Sequence, residues 1–386
     1  MIQAGLPFGA GLQESGVWQD FLHYARDPDD PPVDAGESDL PDAGRREGNA
    51  KRRFRQLSKA VLANGCDAIG KSEYGLRLRN CCTKVYKHVH ERGARYVAHE
   101  CGVPGCPDRE RRDARRQAAA IERKVARFMA RHPGSQAVML TVTNEAVPAH
   151  ELKDATSAIM KGTSALMRSA PVRRAVLGWV RSIELARHPV SWLWGPHAHY
   201  LLIFGPDYFR REKGIYLTQE RWALQTQKCM RLSYRPVVDV RVLRGVKAPI
   251  DEDGRKSLRE ISKYKAKPTS LIVARNGKPL LVGSDHLELY DAGDGQGLRP
   301  HYNAPLRAFL DATKNRRMLS MSRNLQGDDD LELGEFPEDI EGVQAPADLG
   351  RFICTEVYVW RVRGSDADYF LVARTFEEPG RFAMPP

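Results

Sequence analysis

Apolar residues recur along this chain with two different periods. In residues 109–131, Ala118, Ala119, Ile121, Val125, Phe128 and Met129 share one side of a helix, arginines and lysines take the other, and His132-Pro133-Gly134 ends the run. Residues 137–143 switch to a strand rich in apolar and β-branched side chains. Helical spacing returns over 151–168, where Leu152, Ala155, Ile159, Thr163 and Leu166 align and Pro171 marks the exit. Two strand-like runs follow, 178–185 and 194–204, the second stopped by Gly205-Pro206. Thr218 is placed to cap a helix running to Arg231, with Trp222 and Leu224 as packing residues. A further strand at 236–242 leads through the polar loop Asp251-Glu252-Asp253-Gly254 into a helix at 257–267, closed by Pro268. The order strand, helix, two strands, helix, strand, helix predicts an α+β fold. Its central sheet is antiparallel, with helices on one face and the other face left open.

The flanks read differently. Residues 1–50 hold Asp27-Pro28-Asp29-Asp30-Pro31-Pro32 and few apolar side chains, and are expected to be a poorly ordered lead. A basic, cysteine-rich segment occupies 51–135, opening with the helical stretch around Lys51-Arg52-Arg53-Phe54-Arg55. Beyond 270 an accessory region runs to residue 386. It contains a basic helical stretch at 303–319, an acidic linker near 327–345, and two strand-like runs, 355–362 and 369–373, set to pair through Gly364-Ser365-Asp366.

Charge narrows the partners. The 386 residues carry a formal net charge of +11. That balance favours an acidic partner such as nucleic acid, although many soluble proteins share it. No apolar run is long enough to span a bilayer and no signal-peptide pattern opens the chain, so the expectation is a cytoplasmic protein. Seven cysteines, an odd and uneven set, do not form a secreted disulfide framework. Cys81, Cys82, His99, Cys101 and Cys106 can supply a structural zinc, against the plainer reading of reduced, partly buried thiols. Arg111, Arg112, Arg115 and Arg116 give the 109–131 helix a phosphate-binding side.

The chemistry centres on His197-Ala198-His199. Residues two apart in a strand project to one face, so the imidazoles form half of a divalent-metal site. The plainer reading, one core histidine and one incidental, is favoured by spacing alone. Pairing 178–185 against 194–204 can bring Glu184 level with the histidines, and a carboxylate in an apolar strand needs a partner or a metal. Glu260, Tyr264 and Lys267, at i, i+4 and i+7, share a helix stripe that offers a nucleophile and its helpers or simply a solvated face.

Taken together, these residues resemble the plasmid rolling-circle replication initiators, a branch of the HUH endonucleases. Leu140-Thr141-Val142-Thr143 looks like the first family motif, His197-Ala198-His199 the second, and Glu260-Ile261-Ser262-Lys263-Tyr264-Lys265-Ala266-Lys267 the tyrosine motif. The resemblance covers about residues 101–268. It departs at Gly195, where the family often has another histidine, and at Cys106-Pro107-Asp108-Arg109, where a Cys-Pro-x-Cys often stands.

The resemblance implies an HUH endonuclease domain at 136–270 in which Tyr264 attacks a phosphodiester of single-stranded DNA. A 5′-phosphotyrosine link would form and a 3′-hydroxyl be freed. Mg2+ or Mn2+ would sit on His197, His199 and Glu184. Lys267 would stabilise phosphate charge, Glu260 would activate water at termination, and Lys263 would join the arginines on DNA. Plasmid origin DNA, single-stranded at the nick with duplex nearby, is the implied partner, with a host helicase and polymerase downstream and no membrane. A mobilisation relaxase or transposase would share the chemistry. A non-enzymatic DNA-binding regulator would use the basic helices and zinc but has no need of Tyr264 with both histidines.

Overall fold

The computed structural model describes residues 45–188, 191–261, 271–275, 278–281, 286–291, 295–326, 349–363 and 366–377. Most of the expected lead, residues 1–44, and the acidic stretch within 327–348 lie outside them. The chain divides into two compact units. One takes Met1–Ala63, Leu76–Cys101 and Pro337–Pro386, the other Asn64–Gly75 and Gly102–Phe336. The division falls inside the first two helices, α1 (Arg45–Ala68) and α2 (Ser72–Asn80).

In the first unit, β1 (Lys84–His90) and β2 (Gly93–Ala98) pair with a distant hairpin, β12 (Phe352–Arg363) and β13 (Asp366–Thr375). The order is β13-β12-β1-β2, antiparallel throughout. The hairpin expected from the sequence is present, somewhat longer at both ends. Val85, Tyr358, Trp360 and Tyr369 form the core of this unit. Gln56 Nε2 reaches the Tyr369 hydroxyl at 3.5 Å. Buried Glu356 accepts from Lys87 Nζ at 2.8 Å, Arg374 at 2.5 Å and the Tyr358 hydroxyl at 2.9 Å. Burial alone would raise the Glu356 carboxyl, but these donors outweigh it and hold its pKa below the usual value.

The second unit is built on a five-stranded antiparallel sheet. Its strands are β3 (Gln136–Thr143), β4 (Val176–Arg187), β5 (Trp194–Phe204), β6 (Val237–Val242) and β11 (Leu319–Met321), in the order β11-β4-β5-β3-β6. The two histidines therefore sit on the central strand. The sequence order expected for this region is the order found, and its mixed α+β character with antiparallel pairing holds.

The placement of helices differs from the expectation, because they cover both faces of the sheet. One face packs on α4 (Leu152–Arg168), where Arg181 of β4 donates to Met160 O at 3.2 Å and Ser164 Oγ at 2.8 Å. Trp194, Tyr200, Leu202 and Phe204 are buried on that side. On the other face, Leu201, Ile203, Val180 and Ala137 meet Ile121, Val125 and Phe128 of α3 (Pro107–Arg131) and Leu258 and Ile261 of α7 (Glu252–Ile261). The cause is legible in hindsight. The central strand is apolar on both sides from Tyr200 to Phe204, so each side needs a cover there. Only the half of the second face that carries the histidines escapes this requirement.

Two boundaries also moved. The helix expected at 257–267 begins at Glu252, because Asp251 Oδ1 accepts from Gly254 N at 2.9 Å and caps the start that the sequence suggested was loop. Residues 262–270, with Tyr264, lie outside the described residues. The basic stretch 303–319 splits into α8 (Ala304–Thr313) and strand β11, with Asn315 left-handed (φ 55°) at the break. Thr218 caps α6 (Gln219–Met230) as expected, accepting from Arg221 N at 3.2 Å. Among the described residues no helix is long and apolar enough to cross a membrane.

Candidate metal centre

Strand register builds the site. In β5, residues 194, 196, 198 and 200 are buried while 195, 197 and 199 are half-buried, so the alternation sends both imidazoles to the partly covered face. Across β4, Glu184 stands opposite His197 and Ser182 opposite His199. Across β3, Thr143 stands opposite His197 and Thr141 opposite His199. The predicted meeting of Glu184 with the histidine pair is therefore present. Its carboxylate reaches diagonally, with Oε2 3.0 Å from His199 Nε2. The His199 and Glu184 side chains are 24% and 15% exposed, dry enough to strengthen the pair yet open to a small ion.

Two contacts were not foreseen from the sequence. Thr141 Oγ1 lies 3.1 Å from His199 Nδ1, and Thr143 Oγ1 lies 3.0 Å from His197 Nδ1. The signal was available: two threonines at strand spacing, next to two histidines at the same spacing. With each Nδ1 engaged by a threonine hydroxyl, Nε2 is the nitrogen through which either ring would bind a cation. Two donors held by one cation at about 2.0–2.2 Å sit about 3 Å apart, so His199 and Glu184 already fit one ion. The ring centroids of His197 and His199 are 6.2 Å apart, and the rings must lean together to share it. A Cβ built at Gly195 would stand 3.4 Å from His197 Nε2, so the position where the family often has histidine borders this ring.

The other expected site residues are placed unevenly. Glu260 lies in the last turn of α7. Its side chain, like Lys263, Tyr264 and Lys267, lies outside the described residues. Arg111, Arg112 and Arg116 on α3 are half-buried rather than splayed into solvent, while Arg123 and Arg127 of the same helix are exposed. Nothing is described for the side chain of Arg115. Tyr234, the next tyrosine upstream of the motif, has its hydroxyl engaged. It donates to Asn144 Oδ1 at 2.8 Å and accepts from Glu145 N at 3.0 Å, clamping the turn that leaves β3.

The cysteine segment can also bind a metal. Cys81, Cys101 and Cys106 are all buried. Buried thiols of this kind are zinc ligands when deprotonated. Gly102 and Gly105, both at positive φ, shape the five-residue step from Cys101 to Cys106. Cys82 Sγ is 3.6 Å from Cys81 Sγ. His99 is exposed, and its backbone oxygen accepts from Cys82 N at 2.8 Å.

Two histidines and a glutamate thus share one face of this sheet. The family model described as replication protein matches residues 93–370, and the chain belongs to that family. This agrees with the resemblance to plasmid replication initiators read from the motifs. Among curated relatives, a protein rep of Bacillus amyloliquefaciens is 31% identical over 53% of this chain and 64% of its own length. One from Lactiplantibacillus plantarum is 28% identical over 51% of this chain and 62% of its own. One from Streptococcus pneumoniae is 24% identical over 61% and 73%. The chain thus spans under two thirds of the length of the first two of these relatives. No solved structure matches it.

Proposed function

We propose that this protein initiates rolling-circle replication of a plasmid by nicking one strand of the origin through Tyr264, as an HUH-type endonuclease whose domain is 136–270. The observation that carries the reading is the convergence of Glu184 on His199 beside His197, in a chain of the replication-protein family. The Tyr264 oxygen would attack the scissile phosphorus, the bond to the 3′ oxygen would break, and the phenolic proton would pass, directly or through water, to that released 3′ oxygen. The products are a 5′-phosphotyrosine and a free 3′-hydroxyl that can prime synthesis. His197, His199 and Glu184 would hold a divalent cation, Mg2+ or Mn2+, which when bound supplies charge stabilisation to the phosphate. Lys267 would add positive charge there. Glu260, four residues before Tyr264, would take a proton from water to release the adduct at termination. Leu258 and Ile261 support this by anchoring the helix that leads to Tyr264 on the histidine-bearing face.

The test is incubation with supercoiled plasmid carrying the origin and Mn2+. Nicked circles with covalently attached protein are expected, and a protein that binds the origin but never nicks would favour a non-enzymatic regulator. Glu184→Gln is expected to raise the Mn2+ concentration for half-maximal nicking about tenfold, less than loss of a histidine, because water can replace one oxygen ligand in a labile site. Nicking with an unchanged Mn2+ requirement would remove Glu184 from the ligand set.

For the cysteines we propose a structural zinc on Cys81, Cys101 and Cys106, with Cys82 beside them. Purified protein is expected to carry about one zinc per chain and to lose thermal stability on chelation, since metal binding is folding free energy. Full stability with no zinc by elemental analysis would return these residues to the plainer reading of buried thiols.

A further inference from the structure

We infer that the hydroxyls of Thr141 and Thr143 are positioning groups that hold His199 and His197 through Nδ1, and that the Thr141 hydroxyl lets the His199 ring change tautomer without turning. The inference rests on the proposed metal site. Its geometric basis is the pair of contacts at 3.1 and 3.0 Å to Nδ1, made by the residues that stand directly opposite each histidine on β3. Histidines that bind metal commonly give their second nitrogen to a carboxylate or a backbone carbonyl, groups that only accept. A threonine hydroxyl both donates and accepts.

That difference has a consequence for His199. With no cation present, Nε2–H can donate to Glu184 Oε2 at 3.0 Å while the Thr141 hydroxyl donates to Nδ1. A cation needs the Nε2 lone pair, so the ring proton must move to Nδ1. The Thr141 hydroxyl then rotates and accepts from Nδ1–H. The proton inventory of the ring is unchanged, and the ring stays where the strand put it. A fixed carbonyl or carboxylate at Thr141 would instead lock Nδ1–H and leave Nε2 without a proton to share with Glu184. A neutral hydroxyl also adds no negative charge to the imidazole, so the site stays of the loosely held, exchangeable kind. β-Branched threonine suits the position twice over, since its χ1 is restricted and its methyl group packs in the strand.

The test uses the whole chain and needs no DNA. Mn2+ affinity is measured by electron paramagnetic resonance for wild type, Thr141→Val, Thr143→Val and the corresponding serine variants. Valine keeps the shape and removes the hydroxyl, and each valine variant is expected to weaken Mn2+ binding about tenfold, with serine restoring most of it. In parallel, 15N–1H correlation of the histidine rings in metal-free protein reports the tautomers. A hydroxyl-to-Nδ1 bond predicts that His199 carries its proton on Nε2, and that Thr141→Val alters the Nδ1 signal with thermal stability nearly unchanged. Valine variants that bind Mn2+ as wild type does would overturn the inference while leaving the metal site in place. Wild-type protein that takes up no Mn2+ would overturn both. Serine variants as weak as valine would assign the effect to packing and overturn the hydroxyl's role.

Discussion

Tyr264→Phe is expected to abolish covalent attachment to origin DNA while leaving fold and origin binding intact. The substitution removes one oxygen and keeps the ring, so the helix face it belongs to should pack as before. Within this reading the phenol is the sole group that can carry the DNA. Wild-type protein incubated with origin DNA and Mn2+ should therefore give a band that survives denaturation, and the Phe variant should give none. Glu260→Gln separates the two halves of the cycle. Initiation needs only the phenol, so the Gln variant should still nick and form the adduct. Termination needs a base for water, so the adduct should accumulate instead of turning over. A solvated helix face predicts otherwise: both changes would shift stability by about 0.5 kcal/mol or less and leave activity alone. A Phe variant that still becomes attached would move the nucleophile elsewhere. Tyr234 would then be tested, although its hydroxyl is already engaged by Asn144 and Glu145.

The parts of this molecule that were legible in the sequence are those set by period and by local chemistry. The 194–204 strand announced itself by its length and its Gly-Pro stop, and its two-residue alternation was enough to place both histidines on one face. Glu184 was reachable because an antiparallel hairpin constrains register, and the structure puts it opposite His197 as that argument requires. What was not legible depended on long-range pairing. Nothing local in 84–90 says that this strand joins one at 352–363, since sheet partners far apart in sequence leave no short-range trace. The cover on both faces follows from the two-sided apolar character of residues 200–204, which the order of elements alone does not express. The two threonine contacts depend on the neighbouring strand, which sets a hydroxyl's partner, while Thr141 and Thr143 by themselves mark only a strand.

Replacing both histidines by alanine is expected to leave a folded protein that binds duplex origin DNA and barely cleaves it. Each ring is half-buried on the partly covered face, and the sheet's packing is carried by Ala198, Tyr200 and Leu202 on the opposite side and by Leu201 and Ile203 further along the strand. Loss of the imidazoles therefore removes donors and very little core. The expected cost is in chemistry: a phosphate without its preorganised positive charge should be cleaved roughly 10²–10³-fold more slowly. The single variants should differ in degree. His199→Ala leaves Glu184 Oε2 without its 3.0 Å partner, whereas His197→Ala leaves that pair intact. The measurement is the nicking rate on supercoiled origin plasmid across a Mn2+ series, beside gel-shift affinity and a thermal melt for each variant. Residual Mn2+-dependent activity in His197→Ala above that in His199→Ala would rank the ligands as the geometry does. A double variant that nicks at the wild-type rate would remove the cation from this face of the sheet altogether.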